Sequence, residues 1–262
     1  MGKLYKDRVN NKDYHSEAEI FWKNINDGNS LRECLQLPEI LNPNEKAKKE
    51  LLHTTCDDTP RDSDVNNEQG NDKEKRICRC FYYRNKNNIN GKCKKEDCRI
   101  KYYSKHYELN NCNIIDYEIP VKYKTNDIGN FDLLIEFDKK YYAVEVKPPK
   151  PEKNREEESI FRMILEILTY DYCNCYDKND PNKYDHITMA YINNLTNKIL
   201  NKGKGIHYKL GIAFFESSKQ HEQFKTHINE TDEIIKILNY YKITVFLISE
   251  YKDGYKIDKI YN

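Results

Sequence analysis

The fold is decided by residues 129–147, which read GNFDLLIEFDKKYYAVEVK. Two apolar runs rich in β-branched and aromatic residues flank a short polar turn, and this pattern predicts a β-hairpin. With a two-residue turn at 138–139, counting back along both strands places Asp132 directly opposite Glu145. Their Cβ atoms would then lie roughly 4.5–5.5 Å apart.

Side chains alternate between the two faces of a strand, so the hairpin is predicted to have two unlike faces. One face is apolar and is formed by Phe131, Leu133, Ile135, Phe137, Val144 and Val146. The other face brings two carboxylates and an ammonium close together, those of Asp132, Glu145 and Lys147.

Two neighbouring carboxylates repel each other unless a cation lies between them. Oxygen ligands suit a hard divalent ion, and Mg²⁺ is the expected one. Lys147 lies on the same face as Glu145 and could hold or deprotonate a metal-bound water. The alternative is an ordinary surface hairpin with an exposed Glu–Lys pair. A second Glu-x-Lys sequence, at 250–252, has no Asp-bearing hairpin strand before it.

Asp132, followed on the next strand by Glu145-Val146-Lys147, resembles the metal-dependent PD-(D/E)XK nuclease superfamily, with Phe131 in place of the proline. The resemblance covers the hairpin and the helix after it. It implies a restriction-endonuclease-like α/β core, with helices flanking a mixed central sheet, that hydrolyses phosphodiester bonds. Asp132, Glu145 and the backbone carbonyl of Val146 would bind Mg²⁺, and Lys147 would orient or deprotonate the attacking water.

Further acids are candidates for accessory roles near the metal. Glu118 lies on the strand predicted before the hairpin, where a plain solvent-facing role is equally open. Glu19 lies on the first helix and could instead complete a helix cap with Ser16. Glu166 and Tyr170 resemble a Gln-x-x-x-Tyr pattern of the superfamily, with Glu in the Gln position, although an ion pair between Glu166 and the residue four positions earlier explains the spacing as well.

Residues 73–108 hold twelve Lys and Arg against four Asp and Glu, with aromatic residues between them. Basic side chains neutralise phosphates and aromatic rings stack on unpaired bases. We therefore expect a nucleic-acid contact, with DNA favoured over RNA, through Arg79, Arg84, Lys94, Lys95, Arg99 and Lys101.

The same segment holds two cysteine pairs separated by twelve residues. Four thiolates can hold a structural Zn²⁺ in a module too small for its own core. The predicted ligands are Cys78, Cys80, Cys93 and Cys98, with His106 and Cys112 as substitutes. The alternative is four unpaired thiols in a basic loop.

Composition divides the 262 residues into four parts. A helical N-terminal region spans 1–56, an acidic linker 57–72, the basic Cys-rich insertion 73–112 and the nuclease-like core 113–262. The net charge is +1, and 38% of residues are hydrophobic, enough for a core. We find neither a bilayer-length apolar run nor the apolar segment of a signal peptide, and we expect a cytoplasmic protein with reduced cysteines, possible as a homodimer.

Helices are predicted with capping boxes at Ser16–Glu19 and Ser30–Glu33, and a third opens at Asn42-Pro43. Later elements are a strand at 113–122, helices at 156–172, 185–201 and 231–240, and strands at 206–215, 243–248 and 255–261. Four histidines without ligand spacing are expected on the surface, namely His186, His207, His221 and His227.

The leading hypothesis is a Mg²⁺-dependent DNA endonuclease of restriction or defence type. A non-catalytic nucleic-acid-binding protein, with a zinc module on the same fold, is the alternative. A structural partner whose basic segment meets an acidic protein is a third possibility.

Overall fold

The computed structural model describes residues 13–37, 77–78, 81–82, 109, 111–123, 126–147, 158–175, 208–227, 232–252 and 254–262. Within these ranges, the side chains of 118, 120–123, 126–129 and 173–175 are not described.

Five helices and six strands have defined bounds in this part of the chain, and residues 77–78 and 81–82 are helical as well. The helices are α1 (Tyr14–Asn26), α2 (Leu31–Cys34), α3 (Ile160–Cys175), α4 (Lys219–His227) and α5 (Glu233–Tyr240). The strands are β1 (Asn113–Tyr123), β2 (Asn126–Phe137), β3 (Lys140–Lys147), β4 (Tyr208–Phe215), β5 (Thr244–Tyr251) and β6 (Gly254–Tyr261). Among the described helices, none combines the length and apolarity needed to cross a bilayer.

The six strands form one mixed sheet in which spatial order follows sequence order, β1 to β6. β1, β2 and β3 are antiparallel neighbours, as are β5 and β6. β3, β4 and β5 are parallel. Parallel neighbours need a crossover connection. The first crossover, from β3 to β4, contains α3, and the second crossover, from β4 to β5, contains α4 and α5. This is the mixed α/β architecture expected from the sequence.

The hairpin between β2 and β3 has the predicted turn and register. Phe137 pairs with Lys140, and the pairing continues to Leu133 opposite Val144. Asp138 and Lys139 have φ values of 48° and 61°. A type I′ turn requires positive φ at both central residues, and its twist matches that of the strands it joins. The local sequence therefore determines which residues of the two strands oppose each other.

The sheet separates two apolar clusters. On one face, alternate residues of β3 and β4 such as Ala143 and Ile212 pack with helices α1, α3, α4 and α5. On the other face, Val144 and Ala213 pack with residues from the segment before β1, which include Ile77, Cys78, Phe81, Tyr82 and Leu109. The described ends of the predicted Cys-rich insertion therefore pack on one face of the sheet, and the N-terminal helices pack on the other.

The predicted face of Phe131 is wrong. Alternation places it with Leu133, but its ring instead makes edge contacts with Tyr170 of α3 and Tyr208 of β4, with centroid distances of 5.8 and 6.0 Å. The paired register of β2 with β3 runs only as far as Leu133 opposite Val144. Beyond that pair β2 is no longer paired with β3, although it stays paired with β1, where Phe131 lies opposite Ile119.

Two helix starts also differ from the prediction. α1 begins at Tyr14 after Asp13, so Ser16 already lies inside the helix and cannot cap it. α3 begins at Ile160 rather than at the run of glutamates, because the Ser159 hydroxyl caps it by accepting a hydrogen bond from the N–H of Arg162 at 3.2 Å.

The second capping box is confirmed. The Ser30 hydroxyl accepts from the N–H of Glu33 at 3.3 Å, and the Glu33 carboxylate accepts from the N–H of Ser30 at 2.8 Å. Helix α4 was not predicted, because its sequence KQHEQFKTH offers a single large apolar residue, Phe224. The helices predicted from Asn42 and over 185–201 lie outside the described residues.

Candidate active site

The candidate site lies at the carboxyl end of β3, the first of the three parallel strands. Glu145 and Lys147 lie two and four residues after Ala143, which faces the helices. Residues two apart on a strand share a face, so both side chains point toward α3. In open α/β sheets, ligands bind at the carboxyl ends of parallel strands. The predicted residues thus lie where this architecture most often builds a site.

The structure brings Asp132 to the same end of β3. Its carboxylate Oδ2 accepts a hydrogen bond from the backbone N–H of Val146 at 2.7 Å. Asp132, Glu145 and Lys147 are 6%, 2% and 6% exposed. The alternative of an exposed Glu–Lys pair on a surface hairpin is therefore wrong.

The Lys147 ammonium is surrounded by three carboxylates. Its Nζ lies 2.6 Å from Glu145 Oε1, 2.8 Å from Glu166 Oε2 and 3.2 Å from Glu158 Oε2. An ammonium has three N–H donors, which matches three acceptors. A buried charge is costly unless it is paired, so these acids compensate the buried ammonium and fix its position.

Arg162 links two of these acids from α3. Its Nη2 lies 3.2 Å from Glu158 Oε1, and its Nε lies 3.6 Å from Glu166 Oε1. The predicted ion pair between Arg162 and Glu166 is present, but it belongs to a larger network that includes Lys147. Glu158 was not singled out from the sequence. The spacing of four residues between 158, 162 and 166 was the signal that could have found it, although Glu158 lies two residues before the start of α3.

Glu166 stays ionised in this network. Burial raises the pKa of its carboxyl, but the ammonium of Lys147, hydrogen bonds with Glu145 and Lys147, and the guanidinium of Arg162 outweigh that effect and hold the pKa at about 2. Two carboxyl groups within hydrogen-bonding reach of each other repel unless a proton or another cation is shared between them.

The donor set fits a hard divalent cation. Among the described residues around the end of β3, the acids are Asp132, Glu145, Glu158 and Glu166, and the bases are Lys147 and Arg162. Mg²⁺ is commonly held by one or two carboxylates and keeps several waters. Asp132 and Glu145, with the carbonyl of Val146, match that requirement.

Within the described residues, groups of three His, Asp or Glu ligand atoms close enough to share one ion lie elsewhere, around His15 on α1. One of these groups includes Glu19, which is 57% exposed and lies 4.0 Å from His15. The structure therefore places Glu19 in a surface group with His15 and Glu233, not among the acids at the end of β3. Glu118 belongs to β1, but its side chain is outside the described residues.

Tyr170 is buried, and its ring packs against Phe131, beside Asp132. Tyr170 therefore contacts β2, the strand that carries Asp132. Glu166, the other residue of the Gln-x-x-x-Tyr-like pattern, contacts Lys147 directly. Both residues of that pattern thus face the hairpin from α3.

The predicted zinc and nucleic-acid residues lie largely outside the described part of the chain. Cys78 is buried in the apolar cluster that contains Val144 and Ala213, on the face of the sheet opposite α3. Burial raises the pKa of the substitute ligand Cys112 to about 12, which disfavours the thiolate that a metal requires. Not described are Cys80, Cys93, Cys98, Arg79, Arg84, Lys94, Lys95, Arg99 and Lys101. Zinc binding and the basic contact surface remain predictions.

Comparison with known proteins yields one weak structural likeness. No protein-family model matches the chain, and no curated protein matches it. Among solved structures, the chain is similar to Pyrococcus furiosus SfsA in complex with Ca²⁺, at 15% identity and a TM-score of 0.23. That match covers 58% of this chain and 54% of the SfsA chain, so it spans about half of that structure. The case for a function therefore comes from the residues at the end of β3.

Proposed function

We propose that this chain is a Mg²⁺-dependent nuclease that hydrolyses phosphodiester bonds, with DNA as the favoured substrate. The observation that carries the proposal is the buried meeting of Asp132, Glu145 and Lys147 at the end of β3. The order of these residues along the hairpin is that of the PD-(D/E)XK superfamily.

Each residue has a role that follows from its position. Asp132, Glu145 and the carbonyl of Val146 would hold the ion. When bound, Mg²⁺ lowers the pKa of a coordinated water and offsets negative charge on the phosphate. Lys147 can donate a hydrogen bond to the attacking water and so fix its position. For this, Lys147 must exchange one of its carboxylate contacts for the water.

Glu158, Arg162 and Glu166 act on Lys147 and not on the substrate. The ion pairs of Lys147 with Glu158 and Glu166 restrict its side chain to the end of β3. Arg162 in turn holds both acids. A general base or water-positioning group must be held within hydrogen-bonding reach of the water, and these three side chains provide that restraint. The basic segment 73–108 would contact the phosphate backbone.

The test compares cleavage by the wild type and by Lys147→Ala. We expect the wild type to cleave DNA with Mg²⁺ and to stop when EDTA is added. Lys147→Ala should abolish cleavage and leave DNA binding within about twofold, because phosphate contacts elsewhere supply the affinity. The matched control is Lys252→Ala, the lysine of the second Glu-x-Lys sequence, which should cleave like the wild type.

Two outcomes would contradict the proposal. Unchanged cleavage by Lys147→Ala would remove Lys147 from the reaction. A folded wild type that binds DNA but cleaves neither single- nor double-stranded DNA or RNA, with Mg²⁺ or Mn²⁺, would instead favour the non-catalytic nucleic-acid-binding alternative.

A further inference from the structure

We propose a second metal site, for Zn²⁺, formed by His15, His227 and Asp232 where three helices meet. His15 lies in the first turn of α1, His227 is the last residue of α4, and Asp232 is the N-cap of α5. One ligand atom from each of the three residues lies within 4.8 Å of the others. The site is separate from the proposed nuclease centre, and zinc could bind there whether or not the chain is a nuclease.

Two of the three ligands are held in place by their neighbours. Asp232 Oδ1 accepts from the N–H of Ile234 at 2.8 Å, which caps α5, and Asp232 Oδ2 lies 2.6 Å from His227 Nδ1. The other ring nitrogen, His227 Nε2, lies 2.6 Å from the hydroxyl of Tyr14. The rotamers of His227 and Asp232 are therefore fixed before any ion arrives, which lowers the entropic cost of binding.

One of the two histidines is buried and the other is half exposed, and each of these environments suits a metal ligand. His227 is 7% exposed, so the sequence-based expectation that it lies on the surface is wrong. The ring of His15 lies 5.2 Å from that of His227, and the His15 side chain is 50% exposed. The buried ligand provides rigidity, and the half-exposed ligand gives an ion access from solvent and leaves room for a water.

The chemistry of the ligands selects the ion. Two imidazoles and one carboxylate with an open position form a common set for Zn²⁺, whereas Mg²⁺ and Ca²⁺ prefer oxygen ligands throughout. Imidazole binds a metal in its neutral form. An ion that enters the group therefore takes the place of a hydrogen bond that a ring nitrogen of His227 now makes with Asp232 or Tyr14.

A neighbouring group also contains His15, together with Glu19 and Glu233. Glu19 is more than half exposed, and the Glu233 carboxylate is already paired with Lys236 at 3.0 Å. These acids are less well held than His227 and Asp232. We therefore assign the ion to the two histidines and Asp232.

Zinc at this position would join α1 to the second crossover of the sheet. α1 carries part of the helix-side core, and α4 and α5 connect β4 to β5. Because binding to the folded state alone stabilises that state, Zn²⁺ should raise the unfolding temperature.

The experiment counts Zn²⁺ equivalents by competition with a chromogenic chelator in the full chain. His15→Gln should bind one equivalent fewer than the wild type. The Kd for Zn²⁺ at this site should rise by roughly 100-fold or more, because loss of an outer-shell partner alone typically weakens metal binding about 10–100-fold and His15 binds the ion directly. Any zinc held by the cysteine segment is present in both proteins and cancels in the difference. His15→Cys supplies a thiolate ligand and should keep the equivalent.

The thermal shift provides a second measurement. Zn²⁺ should raise the unfolding temperature of the wild type and of His15→Cys more than that of His15→Gln. His15 is half exposed, so the metal-free variants should unfold near the wild-type temperature. Glu222→Gln, an exposed acid on α4, is the control and should bind like the wild type. The proposal is overturned if His15→Gln binds as many equivalents as the wild type, if His15→Cys loses one as well, or if Glu19→Gln loses one.

Discussion

The carboxylate of Asp132 accepts a hydrogen bond from the backbone N–H of Val146 at 2.7 Å. Between antiparallel strands, such an N–H normally bonds to a backbone carbonyl of the neighbouring strand. Here a side chain takes that place just beyond the last paired residues of the hairpin, Leu133 opposite Val144. Asp132 therefore joins β2 to the Glu145-Val146-Lys147 segment of β3, in addition to its proposed role as a metal ligand.

These two roles can be separated by two substitutions at the same position. Asp132→Asn keeps an oxygen acceptor for Val146 but removes the charge, so it should fold normally and bind Mg²⁺ at least about tenfold more weakly, a loss of roughly 1.4 kcal/mol. Asp132→Ala also leaves a buried N–H unsatisfied, which should cost about 1–3 kcal/mol of unfolding free energy. Urea denaturation and Mg²⁺ titration calorimetry measure the two effects. Equal destabilisation by both variants, or unaltered Mg²⁺ binding by Asp132→Asn, would contradict this division.

The ion pairs around Glu166 should make stability depend on pH. Because the folded pKa of about 2 lies below the ordinary value of 4.5, Glu166 stabilises the fold fully above pH 4.5, and this stabilisation is lost as pH falls toward 2. Glu166→Gln should cost on the order of 3 kcal/mol at pH 7, since it removes one partner of a buried ion pair.

The measurement is the unfolding free energy of both proteins between pH 7 and pH 3. The difference between wild type and Glu166→Gln should shrink as the pH drops below 4.5. Glu222→Gln is the control, because that exposed acid is paired with Lys225 on the surface, and it should change stability little at any pH. A difference that stays constant with pH would show that the carboxylate charge is not what stabilises the network.

The hairpin turn offers a test of the backbone argument. Lys139 has a φ of 61°, which costs a residue with a Cβ about 1–2 kcal/mol. Lys139→Gly should therefore raise the unfolding free energy by about 0.5–1 kcal/mol after the greater freedom of glycine in the unfolded chain is subtracted.

The matched control is Lys140→Gly, at the next residue, which is also exposed but begins β3. It should lower the unfolding free energy by about 0.5–1 kcal/mol, because glycine is unfavourable in a strand. Thermal or urea unfolding of both variants provides the comparison. If both substitutions change the unfolding free energy in the same direction, the left-handed backbone at Lys139 carries no cost.

Local signals in the sequence predicted much of the fold. The capping box at Ser30 and Glu33 formed, whereas that at Ser16 and Glu19 did not, although both have the same spacing. A local pattern shows that a helix start is possible, but the packing of the helix decides which residue begins it. The same limit explains why the polar helix α4 was missed: its burial depends on the fold and not on its own periodicity.

The candidate site was predicted in part for the same reason. The positions of Asp132, Glu145 and Lys147 follow from strand alternation and from one turn, all within 16 residues of the chain. That Lys147 also contacts Glu158 and Glu166 depends on how α3 packs over β3. The four-residue spacing alone could bring those acids to one side of Arg162, but not opposite a particular lysine.

The amino-acid sequence by itself determined the hairpin, its register and the placing of two acids and a lysine on its two strands. It could do so because strand alternation and turn geometry act between neighbours in the chain. Only the tertiary structure decided that Lys147 is enclosed by carboxylates and that His15 meets His227, which is 212 positions further along. Such contacts depend on the packing of helices against the sheet, and that packing results from the whole core rather than from any one segment.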